Sequence, residues 1–447
     1  MSFGFATIPD AGAWRLTGAR APLALVTSPG LAADREGFTA LDITIAQGRI
    51  ASVVPAGTPS LDSDLPALDL DGGIVLPRFV DIHTHLDKGH IWPRCANPDG
   101  SFTSALESVA QDREANWSAD DLRTRMEFSL RCALAHGTGA LRTHLDCIGP
   151  QTAISWPVFA EMRDAWRGRI ELQAVSLFPA DLALQDEAQF RDIVATTARH
   201  GGLIGGVTFM GETPTESTER AIDRIVQAAA AEGLDLDLHV DESGSPEART
   251  LERVADAVIR NRFGGKVLCG HCCSLAQRPD REVAQTIAKV AEARLAVVSL
   301  PMCNVYLQDR RAGRTPRWRG VAPLHELRAA GVPVMVASDN TRDPFHAYGD
   351  LDMLEVYREA TRILQLDHAG PDWPRAFAAT PADIMNLDRH GRIEAGDAAD
   401  LVLFRARTLM ELLARPHTDR TVLLGGQAID TTLPDYRELD ECMRRPV

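Results

Sequence analysis

Short apolar runs alternate with long amphipathic segments through the central part of the chain. The runs number eight and begin at Phe79, Ala140, Leu172, Leu203, Leu236, Lys266, Leu295 and Val332. From the second run onward their starts are about 30 residues apart, which is the length of a strand followed by a helix. The segments between them repeat apolar positions with helical spacing at 119–136, 187–200, 218–231, 246–262 and 281–292.

Eight strands that are each followed by a helix predict an α/β fold, the (β/α)8 or TIM barrel. A doubly wound open sheet is the alternative arrangement of such units, but eight near-regular repeats favour closure. Ser118, followed by Asp120 and Asp121, is predicted to cap the helix that begins at residue 119.

Both ends of the chain differ from the centre, because their apolar runs are short and separated by turn residues. Strands are predicted at 24–27, 40–45, 49–54, within 391–404 and at 421–424. We expect the two ends to form one small β-sandwich beside the barrel. Residues 1–75 and 391–447 would then make the sandwich, and residues 76–390 the barrel.

Composition and charge argue against several classes of protein. The chain has 447 residues, is 45% hydrophobic and 24% charged, and carries a net charge of −15 without a long basic cluster, so we expect no nucleic-acid partner. No signal peptide is recognisable, and no run approaches the roughly 18 apolar residues of a membrane span. Eight scattered cysteines indicate reduced thiols and a cytoplasmic location.

The first barrel run ends in two histidines, His83 and His85, at spacing i, i+2. Both side chains therefore leave the same face of the strand. A strand fixes the separation of the two imidazoles, which suits a divalent metal ion. One buried and one incidental histidine is the alternative interpretation, and the other strand ends help to decide between the two.

Residues that can bind metal or move protons also lie at the ends of other predicted strands, where the chemistry of a barrel gathers. They are His144 on the second strand, His239 and Glu242 at the fifth, His271 on the sixth and Asp339 on the eighth. Each alone has a structural explanation. Their combined placement at strand ends favours a catalytic site.

The spacing of these residues allows metal ligands to be assigned. His83, His85 and His239 are expected to supply nitrogen ligands to a metal ion. Asp339 would add an anionic oxygen ligand and leave positions open for water. The pKa of that water would be lowered, so that hydroxide exists near neutral pH.

Two further residues are expected to act on protons. Glu242, three residues beyond His239, is placed to move a proton between the water and the substrate. His271 would hydrogen-bond the hydroxide or the developing oxyanion during attack on an sp² carbon. We therefore expect Glu242, His271 and Asp339 to be the catalytic residues.

The pattern formed by His83-Thr84-His85, His239, His271 and Asp339 resembles the amidohydrolase superfamily. The chain resembles the cytosine deaminase branch of that superfamily more closely, over almost its whole length. The segments that carry this closer resemblance are Arg142-Thr143-His144-Leu145-Asp146, His239-Val240-Asp241-Glu242, Asn304-Val305-Tyr306-Leu307-Gln308, Arg319-Gly320-Val321, Ser338-Asp339-Asn340, Asp343-Pro344-Phe345 and Gly396-Asp397-Ala398-Ala399-Asp400-Leu401.

This resemblance implies one divalent metal ion, zinc or iron, which activates water for attack on the amino-bearing carbon of a nitrogen heterocycle. It also implies that Glu242 protonates the ring nitrogen and that ammonia leaves. Binuclear members of the superfamily carry a bridging carboxylated lysine at the end of the fourth strand, which here reads Gly206-Val207-Thr208-Phe209-Met210. A site with a single metal ion follows, in which His271 is a catalytic residue rather than a ligand.

The residues expected to recognise the substrate differ from those of the cytosine deaminase branch. That branch has a glutamine after a Phe-Pro pair on the third strand, where this chain has Ala180 after Phe178 and Pro179. Asn340 follows the metal-binding aspartate where a second aspartate is usual. Loss of a bidentate amide removes a discriminating pair of hydrogen bonds and opens space.

Our main expectation is hydrolytic deamination of cytosine, 5-methylcytosine or a related aminopyrimidine, with a triazine or a pterin as alternatives. The predicted substrate-binding residues are Lys88, His144, Phe178, Ala180, Asn340 and Phe345. Lys88 could instead be a surface lysine. We expect a homo-oligomer that acts on a small heterocyclic molecule and has no nucleic-acid or membrane partner.

Two other functions remain open for the same scaffold. A cyclic amide or amide hydrolase would open a ring instead of releasing ammonia. A metal-binding protein without catalysis is the third hypothesis, and it leaves Glu242 and His271 without a purpose.

Overall fold

The computed structural model describes residues 4–59, 64–208, 213–416 and 419–444. Its strands are, in chain order, β1 (Ala13–Pro22), β2 (Val26–Thr27), β3 (Phe38–Ala46), β4 (Arg49–Pro55), β5 (Ala67–Asp69), β6 (Val75–Pro77), β7 (Phe79–Thr84), β8 (Thr138–Asp146), β9 (Glu171–Leu177), β10 (Leu203–Ile204), β11 (Leu236–Val240), β12 (Val267–His271), β13 (Ala296–Ser299), β14 (Val334–Val336), β15 (Ile393–Glu394), β16 (Leu401–Phe404), β17 (Arg420–Leu424) and β18 (Gln427–Ala428). Its α-helices are α1 (Phe102–Asn116), α2 (Ala119–Ala135), α3 (Gln151–Trp166), α4 (Leu182–Gln185), α5 (Glu187–His200), α6 (Glu216–Glu232), α7 (Thr250–Arg260), α8 (Asp280–Glu292), α9 (Pro301–Leu307), α10 (Leu324–Ala329), α11 (Met353–Leu364), α12 (Ala379–Ile384) and α13 (Leu409–Ala414).

Strands β7 to β14 form one parallel sheet, in which each strand pairs with the next along the chain. The first and last strands also meet, since Thr84 bridges Asp339 and the Asp339 N–H donates to the His83 carbonyl oxygen at 2.8 Å. This seam closes the sheet. The predicted (β/α)8 barrel is therefore confirmed, and the carboxyl ends of its strands face one end of the barrel.

The fourth barrel strand is shorter than predicted. Regular pairing covers only β10, after which Val207 forms single bridges on both sides. A Cβ atom on Gly205 would lie 2.6 Å from the Ser176 carbonyl oxygen, so the backbone passes too close to β9 for a side chain. Phe209 and Met210, which belong to the predicted strand, lie outside the described residues.

All five predicted helices are present as α2, α5, α6, α7 and α8, and the other eight described helices, α1, α3, α4 and α9 to α13, lie outside those predictions. The predicted cap is found, because the Ser118 hydroxyl accepts a hydrogen bond from the Asp121 N–H at 3.2 Å. Helix α7 begins later than predicted, at Thr250. The Asp241 carboxylate accepts from the N–H groups of Thr250 and Leu251, which places the first turn there.

The two ends of the chain form a small β-sandwich, as expected. One sheet has the strand order β4-β3-β1-β5, and the other, β18-β17-β16-β6, joins C-terminal strands to β6. Both sheets contribute to one buried cluster that includes Trp14, Ile43, Val75, Leu401 and Leu423. The residue limits given above for the two domains stay a prediction.

The helices and the cysteines bear on the predictions about membranes and disulfide bonds. Within the described segments, no helix combines the length and the apolar composition that crossing a membrane requires. The eight cysteines are free thiols, and Cys95 and Cys442 are the two that are not fully buried.

Candidate active site

Four predicted metal ligands meet at the carboxyl end of the barrel. His83 lies in β7, His85 follows that strand directly, His239 lies in β11, and Asp339 comes shortly after β14. His85 Nε2 lies 3.2 Å from Asp339 Oδ1 and 3.3 Å from His239 Nε2. His83 Nε2 lies 3.7 Å from the same Asp339 oxygen. The ligand atoms of the three histidines lie within 4.8 Å of one another, so the barrel brings the set together.

The buried polar atoms of this cluster fit a divalent cation. Neither ring nitrogen of His83 and neither carboxylate oxygen of Asp339 has a hydrogen-bond partner among the described residues. Such buried atoms cost free energy unless a bound group accepts their electron pairs. Burial lowers the pKa of His83, His85 and His239 well below the usual value, which keeps the imidazoles neutral, as metal ligation requires. Burial raises the pKa of Asp339 to about 7, and a neighbouring cation would oppose this shift.

The backbone is strained at two of the site residues. His271 and Asp339 have φ angles of 67° and 66°, in the left-handed region that residues other than glycine seldom adopt. Next to Asp339, the N–H and the hydroxyl of Ser338 both donate to the Asp81 carboxylate, at 3.1 and 2.5 Å. The buried Asp81 therefore helps to hold the eighth strand end in the conformation that turns Asp339 towards the histidines.

Glu242, His271 and Asn304 form a hydrogen-bonded group beside the ligand cluster. Glu242 Oε1 lies 3.3 Å from His271 Nδ1, and Asn304 Nδ2 lies 3.1 Å from the same nitrogen. Because an amide nitrogen only donates, His271 Nδ1 accepts and the proton of the neutral ring lies on Nε2. Burial raises the pKa of Glu242 well above its usual value, with a further contribution from Asp339, and burial lowers the pKa of His271 to about 3. A carboxyl group whose pKa is raised and a neutral imidazole are thus held side by side.

A cavity of about 220 Å³ borders these groups. His85, His239, Glu242 and His271 form part of its wall. Four of the predicted substrate-binding residues also line it, namely Lys88, Phe178, Asn340 and Phe345. The Asn340 side chain is already engaged, since its Nδ2 donates to Asp343 Oδ2 at 2.6 Å and its Oδ1 accepts from Cys303 Sγ at 3.5 Å.

Two other predicted substrate-binding residues, Ala180 and His144, are not among the described residues that line this cavity. Ala180 is buried, and its N–H donates to the Val207 carbonyl oxygen at 2.9 Å. The His144 ring centre lies 4.2 Å from that of His83, and its Nε2 lies 3.6 Å from Asp237 Oδ1. His144 therefore contacts a predicted metal ligand from within the barrel, and Ala180 contributes to packing.

Lys88 lies in the cavity wall rather than on the surface. It is 5% exposed, and its Nζ lies 3.0 Å from Asp146 Oδ1 and 5.4 Å from the Phe345 ring centre. Arg113 holds the other oxygen of the same carboxylate, with its NH1 2.8 Å from Asp146 Oδ2. Asp146 thus joins two cations in one wall of the cavity.

Three polar residues at the site lie outside the predicted set, namely Arg113, Asp146 and Asn304. Asp146 and Asn304 stand in two of the segments that carry the family resemblance, and Asp146 also ends a predicted strand. Arg113 lies on α1, where Phe102, Val109 and Arg113 repeat at helical spacing i, i+7, i+11. These sequence features could have identified Arg113, Asp146 and Asn304 as site residues.

The closed barrel, the buried histidine–aspartate cluster and the carboxyl–imidazole pair beside it define a metal-dependent hydrolase. This chain belongs to the amidohydrolase family, whose model matches residues 161–429. It is 54% identical over 443 residues to the pterin deaminase of Rhizobium rhizogenes (strain K84 / ATCC BAA-868), across 98% of this chain and 99% of the relative. It is also 23% identical over 352 residues to the N-isopropylammelide isopropyl amidohydrolase of Pseudomonas sp. (strain ADP), across 76% and 81% of the two chains. The prediction of an enzyme that hydrolyses C–N bonds is confirmed.

Solved structures of the same fold include two close matches. The 5-methylcytosine deaminase from Klebsiella pneumoniae, liganded with 5-fluorocytosine, superposes with a TM-score of 0.77 at 20% identity, over 93% of this chain and 97% of that one. The N-isopropylammelide isopropylaminohydrolase from Burkholderia multivorans ATCC 17616 gives a TM-score of 0.72 at 26% identity, over 95% and 100%. At 20% identity the first match shows the fold alone. With the relatives above, the predicted place in the deaminase branch of the amidohydrolase superfamily is confirmed.

Proposed function

We propose that this protein is a deaminase of pterins, which replaces the 2-amino group of the pyrimidine ring by oxygen and releases ammonia. The observation that carries the proposal is the 54% identity, over 98% of this chain, to a protein named pterin deaminase. A pterin is one of the alternatives that the sequence left open. The relationship supports it better than the main expectation of cytosine or 5-methylcytosine, for which the match is a structure at 20% identity.

The cavity wall supports a flat, bicyclic substrate. Phe102, Phe178 and Phe345 contribute aromatic rings to it, and such rings stack well on a heteroaromatic surface. Ala180 stands where the cytosine deaminase branch has a glutamine, so the third strand end offers no side-chain amide to read a single pyrimidine ring. Both features favour a substrate with a second fused ring.

The proposed ligands of one divalent cation, zinc or iron, are His83, His85, His239 and Asp339. The chain has no lysine among residues 203–210 that could bridge two ions, which supports a single ion. When bound, such an ion acts as a Lewis acid that brings the pKa of water close to neutral.

Glu242 is the proposed general acid and base. Burial raises its pKa well above the usual value, which favours the protonated carboxyl, and this carboxyl can donate its proton to the ring nitrogen beside the amino-bearing carbon. That protonation makes the carbon more electrophilic while a water oxygen adds to it. The carboxylate then carries a proton from the added water to the amino group, which leaves as ammonia. One water is consumed, and the C–NH2 bond is replaced by a carbonyl.

His271 is proposed to stabilise the oxygen that adds to the ring. Its Nδ1 is held by Asn304, and its Nε2 has no hydrogen-bond partner among the described residues. The Nε2–H is therefore free to donate to the developing oxyanion. Because the pKa of His271 is lowered to about 3, the ring stays neutral over the working pH range and keeps Nδ1 as an acceptor.

An ammonia-release assay with metal-loaded protein tests this function. Pterin, cytosine, 5-methylcytosine and ammelide are the substrates, and mass spectrometry identifies each product. We expect pterin to give the highest kcat/KM and a product with the 2,4-dioxo ring. Higher kcat/KM for cytosine would restore the aminopyrimidine hypothesis, and a ring-opened product without ammonia would indicate a cyclic amide hydrolase. The homo-oligomer and the cytoplasmic location stay predictions.

A further inference from the structure

Two cations and one carboxylate form one wall of the cavity. Asp146 accepts from Lys88 Nζ at 3.0 Å through Oδ1 and from Arg113 NH1 at 2.8 Å through Oδ2. All three residues line the cavity. Their side chains are only 6%, 7% and 12% exposed for Lys88, Asp146 and Arg113, so water competes little for their hydrogen bonds.

The charges in this wall do not cancel within the cavity. Burial alone would lower the pKa of Lys88, but Asp146 and Asp87 raise it above its usual value, so the ammonium keeps its proton. The Asp87 carboxylate is hydrogen-bonded to the backbone, since its Oδ2 accepts from the Asp146 N–H at 2.6 Å. Two cations therefore share one lining carboxylate, and the wall retains donors for acceptor atoms of a substrate.

The two cations lie at different depths. Lys88 lies in the cavity that His85, Glu242 and His271 also line, with its Nζ 5.4 Å from the Phe345 ring centre. Arg113, by contrast, also lines a neighbouring surface groove together with Ile148. A substrate whose amino-bearing carbon lies at the metal ligands would meet Lys88 first and Arg113 further out.

A pterin presents a matching pair of acceptors. Its O4 and N5 atoms lie next to each other, on the edge where the two rings are fused. Cytosine has an oxo group but no counterpart of N5. A carboxylate that holds two cations side by side presents adjacent donors to such adjacent acceptors.

We propose that Asp146 holds Lys88 and Arg113 as a two-cation reader, in which Lys88 donates to O4 and Arg113 donates to N5 of a pterin. The inference rests on the proposed function and names the residues that select the second ring. Asp146 is a positioning residue here, and Lys88 and Arg113 are specificity-determining residues. They take the place of the strand-end glutamine that this chain lacks at Ala180.

The sharpest probe is 5-deazapterin, which keeps the shape, the amino group and O4 but has C–H in place of N5. For the unaltered enzyme we expect kcat/KM to be about 10- to 100-fold lower with 5-deazapterin than with pterin, because a buried guanidinium loses its acceptor. Arg113→Met should lower kcat/KM for pterin and reduce the ratio of kcat/KM for pterin to that for 5-deazapterin by about 10-fold or more, relative to the unaltered enzyme. Any difference in the intrinsic reactivity of the two rings is the same for both enzymes and cancels in this comparison.

Two further variants and a control distinguish an effect on substrate recognition from an effect on folding. Lys88→Met should reduce kcat/KM for both substrates alike, because both retain O4. Arg113→Lys keeps a cation beside Asp146 and should recover part of the discrimination. Arg123→Met removes an arginine that pairs with Asp120 and Glu161 on the surface, and it should leave the ratio unchanged. Metal content and the melting temperature are measured for every variant.

The outcomes distinguish the two proposals. If pterin is deaminated but 5-deazapterin reacts equally well, the two-cation reader is wrong and the pterin deaminase function stands. The assignment of Arg113 to N5 is also wrong if the ratio of kcat/KM for pterin to that for 5-deazapterin is unchanged in Arg113→Met. It is equally wrong if that ratio falls in Lys88→Met instead. If pterin releases no ammonia, the proposed function fails and the reader fails with it.

Discussion

Glu242 Oε1 lies 3.3 Å from His271 Nδ1, although Glu242 follows β11 and His271 ends β12. Asn304 bonds both partners from α9, with its Nδ2 3.5 Å from the carboxylate oxygen and 3.1 Å from the ring nitrogen. This contact places a carboxyl group whose pKa is raised by burial beside an imidazole whose pKa is lowered by burial. Roles in proton transfer and in oxyanion stabilisation can thus be separated by substitution.

Glu242→Gln should abolish most ammonia release while leaving the metal bound. An amide cannot donate and recover the proton, so we expect kcat to fall by about 100- to 10,000-fold. Metal analysis of the same preparation should match the unaltered protein, because Glu242 is not a proposed ligand. Glu232→Gln, at the exposed end of α6, is the matched control. Persistence of activity in Glu242→Gln would contradict the mechanism.

Gly270→Ala should weaken metal binding although it replaces none of the proposed ligands. A Cβ at Gly270 would lie 2.9 Å from His83 Cε1 and 3.2 Å from its Nδ1, so the imidazole must move. We expect the affinity for the metal to drop by about 10- to 100-fold, as for other changes that disturb the orientation of a ligand. Metal retained after dialysis against a graded series of chelator concentrations measures this.

The control for that variant is Gly264→Ala, because a Cβ there meets no atom within 4 Å. It should bind metal as the unaltered protein does. Equal affinity in Gly270→Ala and Gly264→Ala would show that His83 does not hold the ion.

Removal of the metal should lower both activity and stability. The histidines are neutral and buried, and without an ion neither ring nitrogen of His83 has a hydrogen-bond partner among the described residues. At a free metal concentration about 1,000 times Kd, binding stabilises the folded state by about 4 kcal/mol, so the melting temperature should fall on chelation and recover on addition of zinc or iron. His239→Gln should behave like the chelated protein, whereas His368→Gln, whose side chain is 96% exposed, should not. A melting temperature indifferent to metal would argue against this site.

Asp352→Asn should destabilise the protein above about pH 4. Asp352 caps α11 and pairs with Arg420 of β17 at 2.6 Å, which ties the barrel to the sandwich. Burial alone would raise the pKa of Asp352, but Arg420 and His136 lower it below the unfolded value near 4. Its contribution is therefore present above the unfolded-state pKa and lost as the pH falls through the folded-state pKa. We expect a loss of roughly 3 kcal/mol at pH 7, because a buried partner is left unpaired.

Denaturant unfolding at several pH values checks this expectation. The difference between the unaltered protein and Asp352→Asn should shrink as the pH is lowered from about 5 towards 2. Asp164→Asn breaks the pair with Arg167, whose side chains are 66% and 75% exposed, and should change the free energy of unfolding by less than about 0.5 kcal/mol. A pH-independent effect of Asp352→Asn would mean that its charge does not contribute.

The part of the fold that could be predicted is the part that depends on residues close together in the sequence. The spacing of the apolar runs predicted all eight barrel strands, since each run carries its own periodicity and needs no distant residue. The same rules missed the early end of β10, because the close approach of Gly205 to Ser176 on β9 is a contact between distant segments. They also placed the start of α7 too early, because the carboxylate of Asp241 caps it from another element.

By itself the sequence determined the class of the enzyme and the residues available for its chemistry. Histidines at i, i+2 share a strand face wherever the strand lies, and barrel topology sends every strand end to one rim, so His83, His85, His239 and Asp339 were readable in advance. Only the tertiary structure decided what surrounds them. The fold brings Arg113 of α1 to Asp146 at the end of β8, and the depth of burial, which no spacing encodes, raises the pKa of Glu242.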